Sequence, residues 1–428
     1  MPPAFARPTK EGKVPFKVAT LDKPCFTSYK IWGDVTKTSP LVVVHGGPAG
    51  TFKSALGAIP FWTEFGLPVV MYDQIGCGES TLLPEKYDDE SFWRPPLFIA
   101  ELNNVLDILQ LRNGFYLFGE DWSATLAAEF ASSRPRGLKK LVLAAPYGST
   151  ALHQISIDHR LSELPCEVQR AAKRAHDTGD YKSESYKQAR LAWFKHVLLR
   201  VLPWAPELED IILHSGIVEH PVRQIMIGSS EFHSEGSLRD WNIVDQLHKI
   251  NVPTLMYSGE FDTSYDIASR PFFERIPKVR WVVFPGVGHG VMADPTPQSA
   301  RCLRILMDFL LKPAASDEHD ESVSAKTMRE TKSISLPCSD TKSQMFIKHD
   351  YVSIREVSND TSARRRYSLV LLRVLTSLMT ALALVWLLCE VLPSGWLVVP
   401  ASESNDQVAA MGLWTRQTHP RLNLAQRR

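Results

Sequence analysis

Three residues have the types and order to carry hydrolytic chemistry: Asp121, Asp262 and His289. Each follows an apolar run of strand length. The run Phe115-Tyr116-Leu117-Phe118 leads into Gly119-Glu120-Asp121-Trp122-Ser123, the run at 253–258 into Gly259-Glu260-Phe261-Asp262, and the run at 279–284 into Gly286-Val287-Gly288-His289-Gly290. Asp121 has a small residue two places away on either side. That is the pattern of an elbow, where a strained strand-to-helix turn lifts one side chain above a sheet. Read alone, the segment fits a helix-capping aspartate slightly better than a nucleophile. The acid and the glycine-flanked histidine downstream reverse that preference. A carboxylate, ionised near neutrality with a reference pKa of about 3.9, needs no base in order to attack. At a saturated carbon it forms an ester, and at a carbonyl it forms a less favourable anhydride. In either case the histidine is left to activate water.

Two other glycine-rich turns follow strands. His45-Gly46-Gly47-Pro48-Ala49-Gly50 could bring backbone N–H groups close to a ligand or could be a tight turn only. Tyr72-Asp73-Gln74-Ile75-Gly76-Cys77-Gly78-Glu79-Ser80 reads as packing, and Cys77 has no neighbouring His or Lys to activate a thiolate. Ser123, in the first helical turn after the elbow, is expected to point away from the site.

These residues need a scaffold. Short apolar runs at 41–44, 69–72, 115–118, 141–144, 253–258 and 279–284 suit strands buried on both faces, and helical patterns separate most of them. Segments 16–20 and 26–32 are expected to pair as an antiparallel edge. The expected fold is therefore α/β, a mostly parallel sheet flanked by helices. About 100 residues without a core strand, between 144 and 253, read as an inserted helical lid and include a helix at 184–202. The expected organisation is a core at 1–146, the lid at 147–245, the rest of the core at 246–312, a disordered linker at 313–363 and a tail at 364–428. Within the tail, the apolar stretch 367–388 is long enough to cross a bilayer as a helix, which takes ~20 residues. It reads as a membrane anchor, as a docking helix or as an artefact of gene prediction.

Composition limits the function classes. The chain has 428 residues, is 44% hydrophobic and carries a formal charge of +1. That balance gives no electrostatic case for a nucleic-acid partner. The six cysteines are scattered, with neither disulfide-scaffold density nor zinc-site pairing, which suggests a reduced, intracellular compartment. The first residues lack the apolar core of a signal peptide, so a cytoplasmic catalytic part is expected, with the tail as its one route to a membrane. No cofactor or metal is expected, and the partner is a small-molecule substrate. Oligomeric state is left open.

The motifs His45-Gly46-Gly47-Pro48, Tyr72-Asp73-Gln74, Gly119-x-x-Trp122, Gly228-Ser229-Ser230-Glu231-Phe232 and Gly259-Glu260-Phe261-Asp262 are collinear with those of one family. Over 41–132 and 220–312 the chain resembles the proline iminopeptidase branch (peptidase S33) of the α/β-hydrolases. The resemblance implies an α/β-hydrolase fold and hydrolase activity on a small ester, amide or thioester. It implies an oxyanion hole from the N–H groups of Gly47 and Trp122, a histidine, His289, oriented by Asp262, and a Glu231 that binds a substrate's amino group. Asp121 stands where the family has serine, and Thr263 where aminopeptidase members can carry another glutamate. The alternatives are Asp-nucleophile chemistry like that of epoxide hydrolases and dehalogenases, a non-hydrolytic accessory role in fungal-type polyketide metabolism, or a non-catalytic binding protein.

Overall fold

A computed structural model describes residues 6–203 and 219–312. Eight strands form one sheet: β1 (Lys10–Phe16), β2 (Cys25–Trp32), β3 (Leu41–Val44), β4 (Val69–Tyr72), β5 (Phe115–Glu120), β6 (Leu138–Ala144), β7 (Thr254–Gly259) and β8 (Val279–Phe284). Their order is β1-β2-β4-β3-β5-β6-β7-β8. The β1–β2 and β2–β4 pairs are antiparallel, and every later pair is parallel.

Nine α-helices are described: α1 (Pro60–Thr63), α2 (Pro95–Ile108), α3 (Trp122–Ser132), α4 (Thr150–Ser162), α5 (Cys166–Thr178), α6 (Glu184–Val197), α7 (Pro221–Met226), α8 (Asp266–Arg275) and α9 (Pro297–Leu311). Alternate residues of the central strands feed two separate cores, as the two-residue period of a strand requires. Val42, Val44, Leu117 and Leu141 pack with α2, α3 and α8, for example against Leu102, Leu126 and Phe272. Leu41, Val43, Phe118 and Val142 pack with α1 and α9, against Phe61 and Leu306. Strands covered on both faces explain why their sequences are continuous apolar runs.

Two expectations need correction. The first edge strand is Lys10–Phe16 rather than 16–20: Val14 and Phe16 are buried on alternating positions, whereas the chain beyond them turns. The helix expected over 184–202 stops at Val197. There the carbonyls of Val197 and Leu198 accept the N–H groups of His289 and Gly290, so they are no longer free to continue the helical ladder. Between β6 and β7 the described chain holds α4 to α7 and a small core of its own, built around Tyr186, Trp193 and Phe232. The linker at 313–363, the tail at 364–428 and its apolar stretch at 367–388 lie outside the described residues. Among the described residues no helix is long and apolar enough to cross a membrane.

Candidate active site

The tip of β5 turns into α3 at Asp121, whose φ of 59° and ψ of −127° are strained for a residue with a Cβ. Four contacts hold it there. Asp121 donates its N–H to the Ala144 carbonyl at 2.9 Å. The buried Ser123 hydroxyl lies 2.8 Å from the carbonyls of both Val44 and Glu120. It also accepts the Glu120 N–H at 2.9 Å. A Cβ on Gly119 would run into the Ser123 carbonyl, which is why the elbow needs a small residue there. Ser123 is thus used up in bracing the turn. Asp121 makes no side-chain capping bond, so capping does not account for it.

The acid and the histidine come together across the ends of β7 and β8. Oδ1 of Asp262 lies 3.0 Å from Nδ1 of His289 and accepts the Ser264 N–H at 2.9 Å. Gly259 and Gly288 make this approach possible: a Cβ on Gly259 would strike the Gly288 carbonyl, and one on Gly288 would strike that of Val197.

Asp121 and His289 line the same cavity of about 160 Å³, together with Gly47 and with residues of the insertion that include His153, Arg223 and Glu231. Gly47 has a φ of +136°, and the neighbouring Gly46 sits so close to the elbow that an added Cβ would lie 3.9 Å from that of Asp121. The Trp122 indole is buried core, edge-on to Phe98 with ring centroids 5.0 Å apart. What Trp122 can offer the cavity is its backbone N–H, in the first turn of α3.

Electrostatics ties these groups into one unit. Burial pushes the Asp121 carboxyl up to about 6, against the opposing pull of His289 and of the Trp122 N–H. Burial alone would lower His289. Asp262 outweighs it, with Asp121 and Glu120 adding to the effect, and the imidazole is pushed up to about 10. Burial likewise works to raise Asp262, but His289 and the Ser264 N–H hold it below the ordinary carboxylate range. On balance these influences favour placing the pair's proton on His289 rather than on Asp121.

The sheet, the elbow and the two loops mark a known scaffold. A family described as the alpha/beta hydrolase fold matches residues 39–295. The chain is 29% identical over 316 residues to proline iminopeptidase of Lactobacillus helveticus (strain DPC 4571), covering 73% of this chain and 99% of that one. It is 30% identical over 272 residues to the same enzyme of Heyndrickxia coagulans, covering 64% of this chain and 90% of that one. The chain is a proline iminopeptidase-like α/β-hydrolase. Among solved structures, VinJ matches with a TM-score of 0.64 at 33% identity, covering 71% of this chain and 98% of that one. Proline iminopeptidase of Mycobacterium smegmatis matches with a TM-score of 0.60 at 28% identity, covering 70% and 98%.

Within this α/β-hydrolase, three site groups carried no signal in the sequence: Arg223, His153 and Arg160. Glu231 is paired: Nη2 of Arg223 donates to its Oε2 at 2.8 Å. His153 lines the cavity with its ring stacked on Tyr147, centroids 4.3 Å apart. Arg160 of α4 is buried against the loop that carries Asp262. No spacing rule reaches them, because they stand on helices whose placement depends on the insertion's own packing. The turn at Asp73 is structural, as expected: its carboxylate accepts the N–H groups of Phe52 at 2.7 Å and Glu79 at 2.8 Å. Cys77 is buried, and burial raises its thiol far above the ordinary value.

Proposed function

We propose that this chain hydrolyses a small electrophile in two steps, with Asp121 as covalent nucleophile and His289, oriented by Asp262, as the proton carrier. The observation that supports this best is geometric: an uncapped, strained Asp121 and a His289 bonded to Asp262 line the same cavity.

In the first step a carboxylate oxygen of Asp121 bonds to the substrate carbon while the bond to the leaving group breaks. The leaving oxygen or sulfur takes the proton from His289. Esterification removes the Asp121 charge, one of the interactions that holds the proton on His289, so the imidazole becomes a base when one is needed. In the second step His289 takes a proton from water as the water oxygen adds to Cγ of Asp121. The oxyanion then forms on Asp121 itself. The Trp122 N–H, which already acts on that carboxylate, and the Gly47 N–H are the donors to stabilise it. Collapse releases the product with the second water proton and restores the carboxylate and imidazolium.

A carboxylate is a weakly basic nucleophile, so it expels a basic leaving group from a carbonyl poorly. The reading therefore favours saturated carbons such as epoxides, followed by acyl groups on thiols or activated oxygens, over ordinary peptides. Residues of the insertion close the cavity as a lid, with Glu231 among the groups that meet the substrate.

The test is mass spectrometry of the intact protein after brief exposure to epoxide, thioester and activated-ester probes. A single adduct on Asp121 that persists longer in His289→Ala is expected. Unchanged turnover without an adduct in Asp121→Ala would reject the nucleophile. Lost turnover without any adduct in the wild type would make Asp121 a general base toward water.

A further inference from the structure

The insertion's share of the cavity wall carries groups that this reaction sequence does not use. Arg223 and Glu231 form an ion pair in which each side chain is only 9% exposed. The position of Glu231 is fixed from behind, because its backbone N–H donates to the buried Tyr186 hydroxyl at 2.9 Å. Oε2 is taken by Arg223, whereas Oε1 is buried and has no hydrogen-bond partner. Nε2 of His153, on the same cavity, is also buried without a partner. Burial, helped by the charge of His289 and opposed by Asp262, pushes His153 down to about 4, so it adds a neutral imidazole to the wall.

A free carboxylate in such a cleft would suit an ammonium group. This one is already neutralised. An incoming ammonium must either displace Arg223, leaving a buried guanidinium unpaired, or share the carboxylate with that cation beside it; both are costly in a low-dielectric pocket. A hydroxyl or amide N–H incurs neither cost and satisfies the open Oε1. We infer that Arg223 closes the site to a free amino group, and that the substrate presents a neutral hydrogen-bond donor to Glu231. The inference rests on reading this cavity as the substrate site, but not on the chemistry at Asp121.

Equilibrium binding tests it, using two anilides that differ in one group. L-lactic acid 4-nitroanilide carries a hydroxyl, and L-alanine 4-nitroanilide carries an amine that is largely charged at pH 6.5. Titration calorimetry of the wild type should show the lactyl compound binding at least about tenfold tighter. Arg223→Met should move the ratio toward the alanyl compound by about tenfold or more, while Arg223→Lys keeps the wild-type preference. Equal or tighter binding of the alanyl compound by the wild type overturns the inference, as does failure of the lactyl compound to bind. An unchanged ratio in Arg223→Met does the same. If that variant does not fold, the wild-type ratio decides. Because the readout is binding, a protein that discriminates the two anilides yet forms no Asp121 adduct would keep this inference and reject the proposed reaction, and the converse result would do the opposite.

Discussion

Arg160 donates its Nε–H to the backbone carbonyl of Asp262 at 3.0 Å, and its Nη2 to that of Glu260. One turn earlier on α4, the Ser156 hydroxyl donates to the Thr263 carbonyl and accepts the Tyr265 N–H at 2.7 Å. Residues four apart share a helix face, so one face of α4 grips the loop that presents the acid. Arg160 also lies over the Tyr265 ring at 4.7 Å. In the proposed mechanism it touches no reacting atom and acts by positioning Asp262.

Arg160→Met should therefore lower kcat by roughly 10- to 100-fold with little change in KM, the loss expected when a reacting group shifts by a fraction of an ångström. Arg160→Lys should recover only part of it, because an ammonium cannot bond two carbonyls in the guanidinium's fixed fork. The readout is kcat with whichever probe labels Asp121, together with its pH profile. A looser Asp262 holds the His289 proton less firmly and should move the alkaline limb to lower pH. A variant that loses activity only through KM would contradict the positioning role.

The pH dependence follows from the signs of two shifts. In the proposed mechanism the first step needs Asp121 ionised and His289 protonated. Asp121 is raised to about 6 and His289 to about 10, so kcat/KM should rise through the first value and fall through the second. These two limbs belong to the coupled pair. A serine nucleophile would require the opposite histidine state, neutral imidazole, and activity that increases with pH as the imidazolium deprotonates. A profile that only rises from pH 6 to 10 would rule out the carboxylate mechanism.

Exchanging the elbow residue gives a gain-of-function test. Asp121→Ser removes one carboxylate that holds the proton on His289 and supplies a hydroxyl at the same strained position. The variant should lose the covalent ester intermediate on saturated carbon and acquire hydrolysis of 4-nitrophenyl acetate, about tenfold or more above the parent. The His289 ring protons, followed by NMR, should titrate at lower pH than in the parent. If neither activity nor titration changes, Asp121 and His289 do not act as a unit.

The core and the elbow were legible in the sequence because local rules specify them. Six apolar runs mark the central strands, and the glycines at 119, 259 and 288 mark places where backbones touch. Nothing local reports what Glu231 will meet. Its partner Arg223 sits on α7, a six-residue helix with no amphipathic period to read, and the pair exists only because the chain doubles back after Met226. The end of α6 was misplaced for a similar reason. Its sequence continues apolar, but its last carbonyls are claimed by the histidine loop far along the chain. The β1 boundary failed more simply, because an edge strand with one exposed face shows alternation rather than a solid apolar run.

A buried carboxyl remote from the reaction gives a stability test. Glu101 of α2 accepts the Thr27 hydroxyl at 2.5 Å and the Ile75 N–H at 2.8 Å and 3.0 Å on its two oxygens, tying α2 to β2 and to the turn after β4. Burial pushes its pKa up to about 8, against the lowering by the bonds from Thr27 and Ile75. The sign is opposite to that of a salt-bridged acid. Between the ordinary value near 4.5 and about 8 the folded state binds more protons than the unfolded state, so this group's contribution to stability declines as pH rises through that window. Glu101→Gln keeps an acceptor and cannot ionise. Its Tm should be lower than the wild type's at pH 5, because the second oxygen is gone, but the deficit should shrink or reverse by pH 8.5. Other raised groups, among them Asp121, Glu120, Glu129 and His289, are common to both proteins and cancel in the difference. Parallel melting curves across that range would mean that Glu101 does not change its protonation with folding.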